Sequence, residues 1–162
     1  MKTTLFTRRI ARWIPVFALA LAVTGCGGSD AEPAETSDRI EGTWEAVVTQ
    51  RDCATNAALA TFSGAQVMHR GGTLSDTSGA PPTTRGPGYG VWSGSGGNYT
   101  SKFRYFRYNA DGTLAGTNVV TRTIVLAADG NSHTATTRQE IRSVTGAVLA
   151  TDCASDISMR FS

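Results

Sequence analysis

The chain has 162 residues, enough for one domain, and its 15 Lys and Arg against 13 Asp and Glu give a formal net charge of +2. These charges are dispersed, whereas nucleic-acid-binding domains concentrate basic residues on one surface, so we expect no nucleic-acid partner. Three cysteines are present, which leaves one over if the other two form a disulfide.

Residues 1–25 have the organisation of an export signal. Four basic residues and no acid precede an apolar segment at residues 14–23. That segment is about half as long as the roughly 20 residues that a membrane-spanning helix needs. A basic start, a short apolar middle and an exit of small residues are typical of a cleaved signal peptide. A retained anchor helix is the alternative interpretation.

The exit reads Val23-Thr24-Gly25-Cys26. An aliphatic residue, two small residues and a cysteine in this order resemble the lipobox of bacterial lipoproteins. The resemblance implies cleavage between Gly25 and Cys26 and a diacylglycerol on the Cys26 thiol, which would anchor the protein in a membrane. Because Gly27 follows, it also implies a bacterial envelope location at the outer membrane, facing the periplasm or the surface. A plain secreted protein is the alternative.

Residues 26–38 are predicted to be the lipidated N-terminus and a flexible tether. The stretch 27–38 holds four acids, no base and no large apolar side chain, so it cannot join a core. Without residues 1–25, 11 basic residues remain against 13 acids. The tether carries that excess of acid, and the predicted domain at 39–162 is close to neutral.

Cys53 and Cys153 remain once Cys26 is assigned to the lipid. An exported compartment favours a disulfide between them. The closed loop of about 100 residues gives a stabilisation of about 4–5 kcal/mol in the chain-entropy model. Two free thiols or a metal site are the alternatives, although His69 and His133 are isolated in sequence. We expect neither a metal site nor a cofactor.

The predicted domain at 39–162 has an all-β pattern. Thr, Val, aromatic residues and Gly recur between closely spaced turn signals, and no segment shows convincing 3.6-residue periodicity. The segments 109–112 and 128–131 contain Asn, Asp and Gly, which tolerate a positive φ. The predicted strands are 42–50, 58–69, 72–78, 89–95, 99–109, 113–126, 132–143 and 147–161.

Alternation in the first and last strands predicts how the sheet closes. An antiparallel pairing with Trp44 opposite Phe161 and Val48 opposite Ile157 joins two apolar faces and brings the two cysteines together. The first and last strands then meet in an eight-stranded antiparallel up-and-down barrel. A two-sheet sandwich is the alternative. The predicted inward set of the last strand is Ala147, Leu149, Thr151, Cys153, Ile157, Met159 and Phe161.

Gly42-Thr43-Trp44 resembles the start of calycin barrels, the group of lipocalins and avidins, whose first strand opens with Gly-x-Trp. Gly90-Val91-Trp92 repeats the pattern. The resemblance covers the architecture of residues 42–162 and implies a barrel with an indole at one end and a small apolar or amphipathic ligand inside. Eight strands form either a filled barrel or one that holds a single small ligand. The candidate barrel-end or ligand-contacting residues are Trp44, Trp92, Phe103, Tyr105, His133 and Gln139.

Two further segments are candidates for function. The connection at 78–90 is either a lid over one barrel end or a surface loop. The strand at 99–109 carries aromatic residues on both faces, so one face should pack in the core. The other face would then be an ordinary surface or an aromatic and basic contact for an acidic partner or a glycan. The surface-contact candidates are Arg85, Lys102, Arg104 and Tyr108.

The sequence has no nucleophile elbow, no paired carboxylate segment and no metal-ligand spacing, so we assign no catalytic residue and do not favour an enzyme. The leading expectation is a membrane-anchored envelope lipoprotein whose barrel binds a small apolar or amphipathic ligand. The alternatives are a structural or interaction lipoprotein that contacts an envelope protein or glycan, and a barrel cyclase or isomerase.

Overall fold

The structure, a computed structural model, describes residues 39–161. Within this range eight antiparallel strands close into one barrel, so the predicted all-β up-and-down barrel is confirmed. The strands are β1 (Gly42–Arg51), β2 (Ala58–Met68), β3 (Thr73–Ser78), β4 (Gly88–Ser95), β5 (Asn98–Tyr108), β6 (Leu114–Leu126), β7 (Ser132–Arg142) and β8 (Val148–Arg160). The predicted signal peptide, Cys26 and the tether lie outside the described residues. Between residues 39 and 161 no helix is long and apolar enough to cross a membrane.

Each strand pairs with the next one in the chain, and β8 closes the barrel against β1. Every strand end lies within one residue of its prediction. The turn residues explain this agreement. Gly112 and Gly130 adopt φ values of 81° and 75°, and the carboxylate of Asp111 accepts a hydrogen bond from the Thr113 backbone N–H at 2.9 Å. Such turns reverse the chain within a few residues and fix where the strands begin and end.

One end of the barrel, the closed end, is filled with apolar side chains. Trp44 is fully buried there, and its indole N–H donates to the Ile40 carbonyl at 2.9 Å. The Arg160 guanidinium lies 4.3 Å from the indole centroid and donates to three surrounding backbone carbonyls. The core cluster continues along the barrel as far as Phe103 and Val120, and its other members are Met68, Leu74, Trp92, Tyr99, Ile124, Leu126 and Ala135.

The Gly-x-Trp start of β1 has a physical reason in this arrangement. Gly42 has a φ of +130°, which residues with a side chain rarely adopt. A Cβ atom at this position would lie 2.5 Å from Nη1 of Arg160. Glycine therefore lets Arg160 reach across the start of the strand and cover Trp44.

The predicted meeting of β1 and β8 is confirmed, but its register was wrong by one residue. Trp44 lies opposite Arg160 rather than Phe161, and Val48 lies opposite Asp156 rather than Ile157. A shift of one residue exchanges the two faces of a strand. Asp156, Ser158 and Arg160 therefore turn toward the interior. Ile157, Met159 and Phe161 turn outward and are 61%, 55% and 61% exposed.

The predicted disulfide between Cys53 and Cys153 is confirmed, with 5.2 Å between the two Cα atoms. Arg51, two residues before Cys53, lies directly opposite Cys153 in the β1–β8 ladder. The bond therefore ties the β1–β2 connection to β8 at the seam where the barrel closes.

Candidate functional site

A cavity of about 210 Å³ occupies the half of the barrel opposite the closed end. Inward-facing side chains line it, because alternate residues of a strand point to the same face. His133 and Ala135 of β7 are buried and Thr137 and Gln139 line the cavity, so the odd-numbered residues of this strand point inward. The connections that surround the opening, which we call the mouth, are 52–57, 79–87, 109–113 and 143–147.

Apolar side chains form the walls of this cavity. Phe103 on β5 lies opposite Val120 on β6, and Phe62 on β2 lies opposite Val48 on β1. Each square ångström of apolar ligand surface removed from water contributes about 25 cal/mol. The walls therefore favour a ligand with an apolar or aromatic body.

The bottom of the cavity is ionic. Arg122 Nη2 donates to Asp156 Oδ1 at 2.7 Å, and the two side chains are 2% and 3% exposed. Arg122 Nη1 donates to Gln66 Oε1, and Gln66 Nε2 donates to Asp76 Oδ2 at 3.0 Å. Ser158 Oγ adds a hydrogen bond to Asp156 at 3.0 Å. We call the set Gln66, Asp76, Arg85, Arg122 and Asp156 the ionic floor.

Arg85 completes the floor from the β3–β4 connection. Its guanidinium forms an ion pair with Asp76 and lies 3.9 Å from the centroid of the Tyr105 ring. The connection itself is fixed to β5, because the Gly86 N–H donates to the Phe106 carbonyl at 2.9 Å. Burial raises the pKa of Asp76, and the Arg85 charge opposes that rise.

The position of Arg85 corrects an expectation from the sequence. We expected Arg85 among the surface-contact residues, but its side chain is only 13% exposed. The buried Asp76 carboxylate draws the guanidinium inward. The connection at 78–90 thus contributes a side chain to the cavity.

A second chain of hydrogen bonds runs around the rim of the cavity. Asn118 Nδ2 donates to the Tyr105 hydroxyl at 2.8 Å, and that hydroxyl donates to Gln139 Oε1 at 2.9 Å. Gln139 Nε2 reaches Asp152 Oδ2 at 3.4 Å. The sequence-based candidates Tyr105 and Gln139 are therefore brought together, joined by Asn118 and Asp152, which the sequence analysis did not single out.

His133 lies in the closed end and does not line the cavity. Its ring is 4.7 Å from the indole of Trp44, and neither ring nitrogen has a hydrogen-bond partner among the described residues. Nδ1 lies 3.9 Å from Asp156 Oδ1. Burial, with the positive charge of Arg122, lowers the pKa of His133 to about 4. The imidazole is therefore neutral at physiological pH.

The remaining barrel-end candidates divide between the core and the cavity. Trp44 and Trp92 both pack in the closed end, with the Trp92 ring 6.0 Å from Tyr99. Phe103 reaches the cavity. His69 is exposed and exchanges a hydrogen bond with Ser75 at 2.9 Å. Between residues 39 and 161, no three His, Cys, Asp or Glu side chains converge on a position for a metal ion.

The outer face of β5 carries the surface-contact candidates. We call Lys102, Arg104, Phe106 and Tyr108 the outer stripe. Lys102, Arg104 and Phe106 are exposed, Tyr108 is half-buried, and the Arg104 guanidinium lies 6.0 Å from the Phe106 ring centroid. Exposed residues of β4 extend the stripe, since Tyr89 lies opposite Arg104.

No family model matches the sequence, and no curated protein matches it significantly. The function must therefore be inferred from the barrel, its cavity and the lipobox-like segment at residues 23–26.

Proposed function

We propose that this chain is a membrane-anchored lipoprotein of the bacterial cell envelope whose barrel binds a small amphipathic molecule through its mouth. The observation that carries the proposal is the cavity, which has apolar walls above an ionic floor. Pockets that combine an apolar lining with a few convergent polar groups are the usual form of small-molecule sites.

The size of the cavity supports a small ligand. An apolar cavity of about 150 Å³ is large enough for benzene. The volume of about 210 Å³ in this barrel therefore suits a molecule with one ring, or a short chain, and a polar group. The cavity opens at the mouth of the barrel, so such a molecule can enter from solvent.

The ionic floor is difficult to explain by stability alone. Replacing a buried ion pair with apolar side chains of similar volume is often neutral or stabilising by about 1–4 kcal/mol. Arg122 and Asp156 are almost completely buried within a barrel whose closed end is already apolar. A role in ligand recognition accounts for charged groups at this depth.

The point at which the chain enters the barrel supports the anchored part of the proposal. Ile40 is buried against Trp44, so the chain enters the domain at the closed end, opposite the mouth. The lipobox-like segment 23–26 precedes this entry point in the chain. A lipid on Cys26 would thus hold the domain by the end that has no opening.

Two measurements test the two parts of the proposal. Native mass spectrometry of residues 26–162 carrying Cys26→Ser, exported to a bacterial periplasm, should show extra mass that is lost on denaturation. A bare mass would contradict the binding function. For the anchor, the tryptic peptide 26–39 from the full chain should carry a diacylglycerol, and the Cys26→Ser chain should not. An unmodified Cys26 would contradict lipidation.

The outer stripe supports a second candidate function, contact with an acidic protein or a glycan of the envelope. Its basic and aromatic side chains are solvent-exposed and continue onto β4 through Tyr89. Co-sedimentation with purified cell-wall glycan tests this function. Arg104→Glu should abolish sedimentation, whereas the exposed control Arg138→Glu on β7 should not.

A further inference from the structure

We infer that the ligand presents an uncharged polar group, able both to donate and to accept hydrogen bonds, to the ionic floor. A primary amide is the simplest group of this kind. The inference rests on the proposed binding function and names the chemical class that the cavity selects.

The paired charges of the floor favour a ligand group that carries no charge. The floor contains two carboxylates, Asp76 and Asp156, and two guanidiniums, Arg85 and Arg122. Each carboxylate is already paired with one guanidinium. An ionised ligand group at this depth would add a charge with no counter-charge, and a buried unpaired charge is strongly unfavourable. A neutral group leaves the balance intact.

The hydrogen-bonding groups of the floor favour a ligand group that both donates and accepts. A guanidinium has five N–H donors, and Arg122 directs one to Gln66 and one to Asp156. The hydrogen bonds that Asp156 accepts from Arg122 and Ser158 both use Oδ1, which leaves Oδ2 as an acceptor. The floor therefore offers donors and acceptors side by side. An amide can meet both, whereas an ether or a ketone meets only the donors.

The apolar walls of the cavity favour an aromatic ring as the body of the ligand. Phe62 and Phe103 both line the cavity, and aromatic side chains favour offset or edge-on contact with another ring. A single ring with one amide satisfies the walls, the floor and the volume together. Asp152 also lines the cavity but lies at the rim, away from the paired charges of the floor, and the hydrogen bond that it accepts from Gln139 is long, at 3.4 Å.

The test uses three probes that share a ring and differ in charge: benzamide, benzoate and benzylamine. Each is titrated at pH 7 into residues 26–162 carrying Cys26→Ser, with binding followed by NMR shifts of the protein. Benzamide should bind at least ~10-fold more tightly than either charged probe, a difference of about 1.4 kcal/mol. Benzoate or benzylamine binding equally well or better would overturn the inference.

A matched pair of variants on β7 shows where the probes bind. Thr137 lines the cavity, and its neighbour Thr136 is exposed on the outer face. Thr137→Phe should fill the cavity and abolish binding, and Thr136→Phe should leave it unchanged. Charged probes that are preferred but lost in Thr137→Phe would overturn the inference and leave the binding function standing. Binding of no probe would overturn the inference, and binding unaffected by Thr137→Phe would place the probes outside the cavity and overturn it as well; the native mass spectrum tests the binding function separately.

Discussion

Arg85 and Asp76 form an ion pair inside the mouth of the barrel, although Arg85 belongs to a surface connection. The same guanidinium lies over the Tyr105 ring. One side chain thus links the β3–β4 connection, the ionic floor and the rim.

Arg85→Ala should destabilise the barrel by about 3 kcal/mol at pH 7, because it leaves the buried Asp76 carboxylate without its counter-charge. Urea unfolding measures the loss. Arg85→Ala combined with Asp76→Asn should recover most of it, since the amide carries no charge. Equal stability of Arg85→Ala and the unmodified protein would show that the ion pair contributes nothing.

Variants of the Arg122–Asp156 pair should show that its effect on ligand affinity differs from its effect on folding stability. Asp156→Asn leaves a buried guanidinium unpaired and should cost about 3–5 kcal/mol. The double variant Arg122→Met with Asp156→Leu should be much less destabilised, because no charge remains buried. It should nevertheless lose affinity for benzamide by at least ~10-fold, or about 1.4 kcal/mol. Full affinity in a folded double variant would exclude the floor from recognition.

His133 should make the domain less stable in mild acid. Its folded pKa of about 4 lies below the ordinary histidine value of about 6.5, so the unfolded chain binds more protons between these two values. Stability is therefore lost as pH falls from 6.5 toward 4, by about 3 kcal/mol in total. Arg122, Asp156 and Arg160 are the charged groups that act on the imidazole.

The contribution of His133 is isolated by measuring the stability of His133→Phe as a function of pH. Thermal unfolding between pH 4 and 7 should show a flatter slope than in the unmodified protein, since the remaining dependence comes from carboxyl groups such as Asp76. His69→Phe is the matched control, because it removes an exposed histidine that is not buried in the closed end. Identical slopes for His133→Phe and the unmodified protein would contradict a buried neutral imidazole.

Loss of the disulfide should cost about 4–5 kcal/mol, because Cys53 and Cys153 close a loop of 100 residues. Denaturant unfolding of the double variant with serine at both positions, set beside the oxidised and reduced protein, measures this loss. The reduced protein and the serine variant should agree. A serine variant as stable as the oxidised protein would show that hydrogen bonds alone hold the seam.

The strands were predictable from the sequence because their ends are marked chemically. Gly112 and Gly130 occupy turn positions with positive φ, and the strands between such turns alternate regularly. The register of β8 was not predictable by the same reasoning. Matching apolar faces assumes an apolar interior, whereas Asp156 faces inward to pair with Arg122. The apolar residues Ile157 and Met159 lie outside.

The cavity was only partly predictable. Phe103 and Tyr105 were candidates because they share one face of the fifth strand, and Gln139 because it shares a face of the seventh strand with His133. The ionic floor was missed because its partners are distant in sequence: Arg122 and Asp156 are separated by 34 positions, and Gln66 and Arg122 by 56. A signal was present in β6, where Arg122 stands between Val120 and Ile124 on the inward face. A charged residue on the inward face of a strand indicates that a buried partner of opposite charge lies nearby.

The seam between β1 and β8 determines the order in which the domain can be completed. These strands are the first and last of the barrel, and eight main-chain positions pair across the seam from Trp44–Arg160 to Arg51–Cys153. A chain that ends before residue 148 lacks β8 and leaves two sheet edges exposed. The barrel therefore closes only after β8 has been synthesised, although its pairing partner β1 is the first strand to be made.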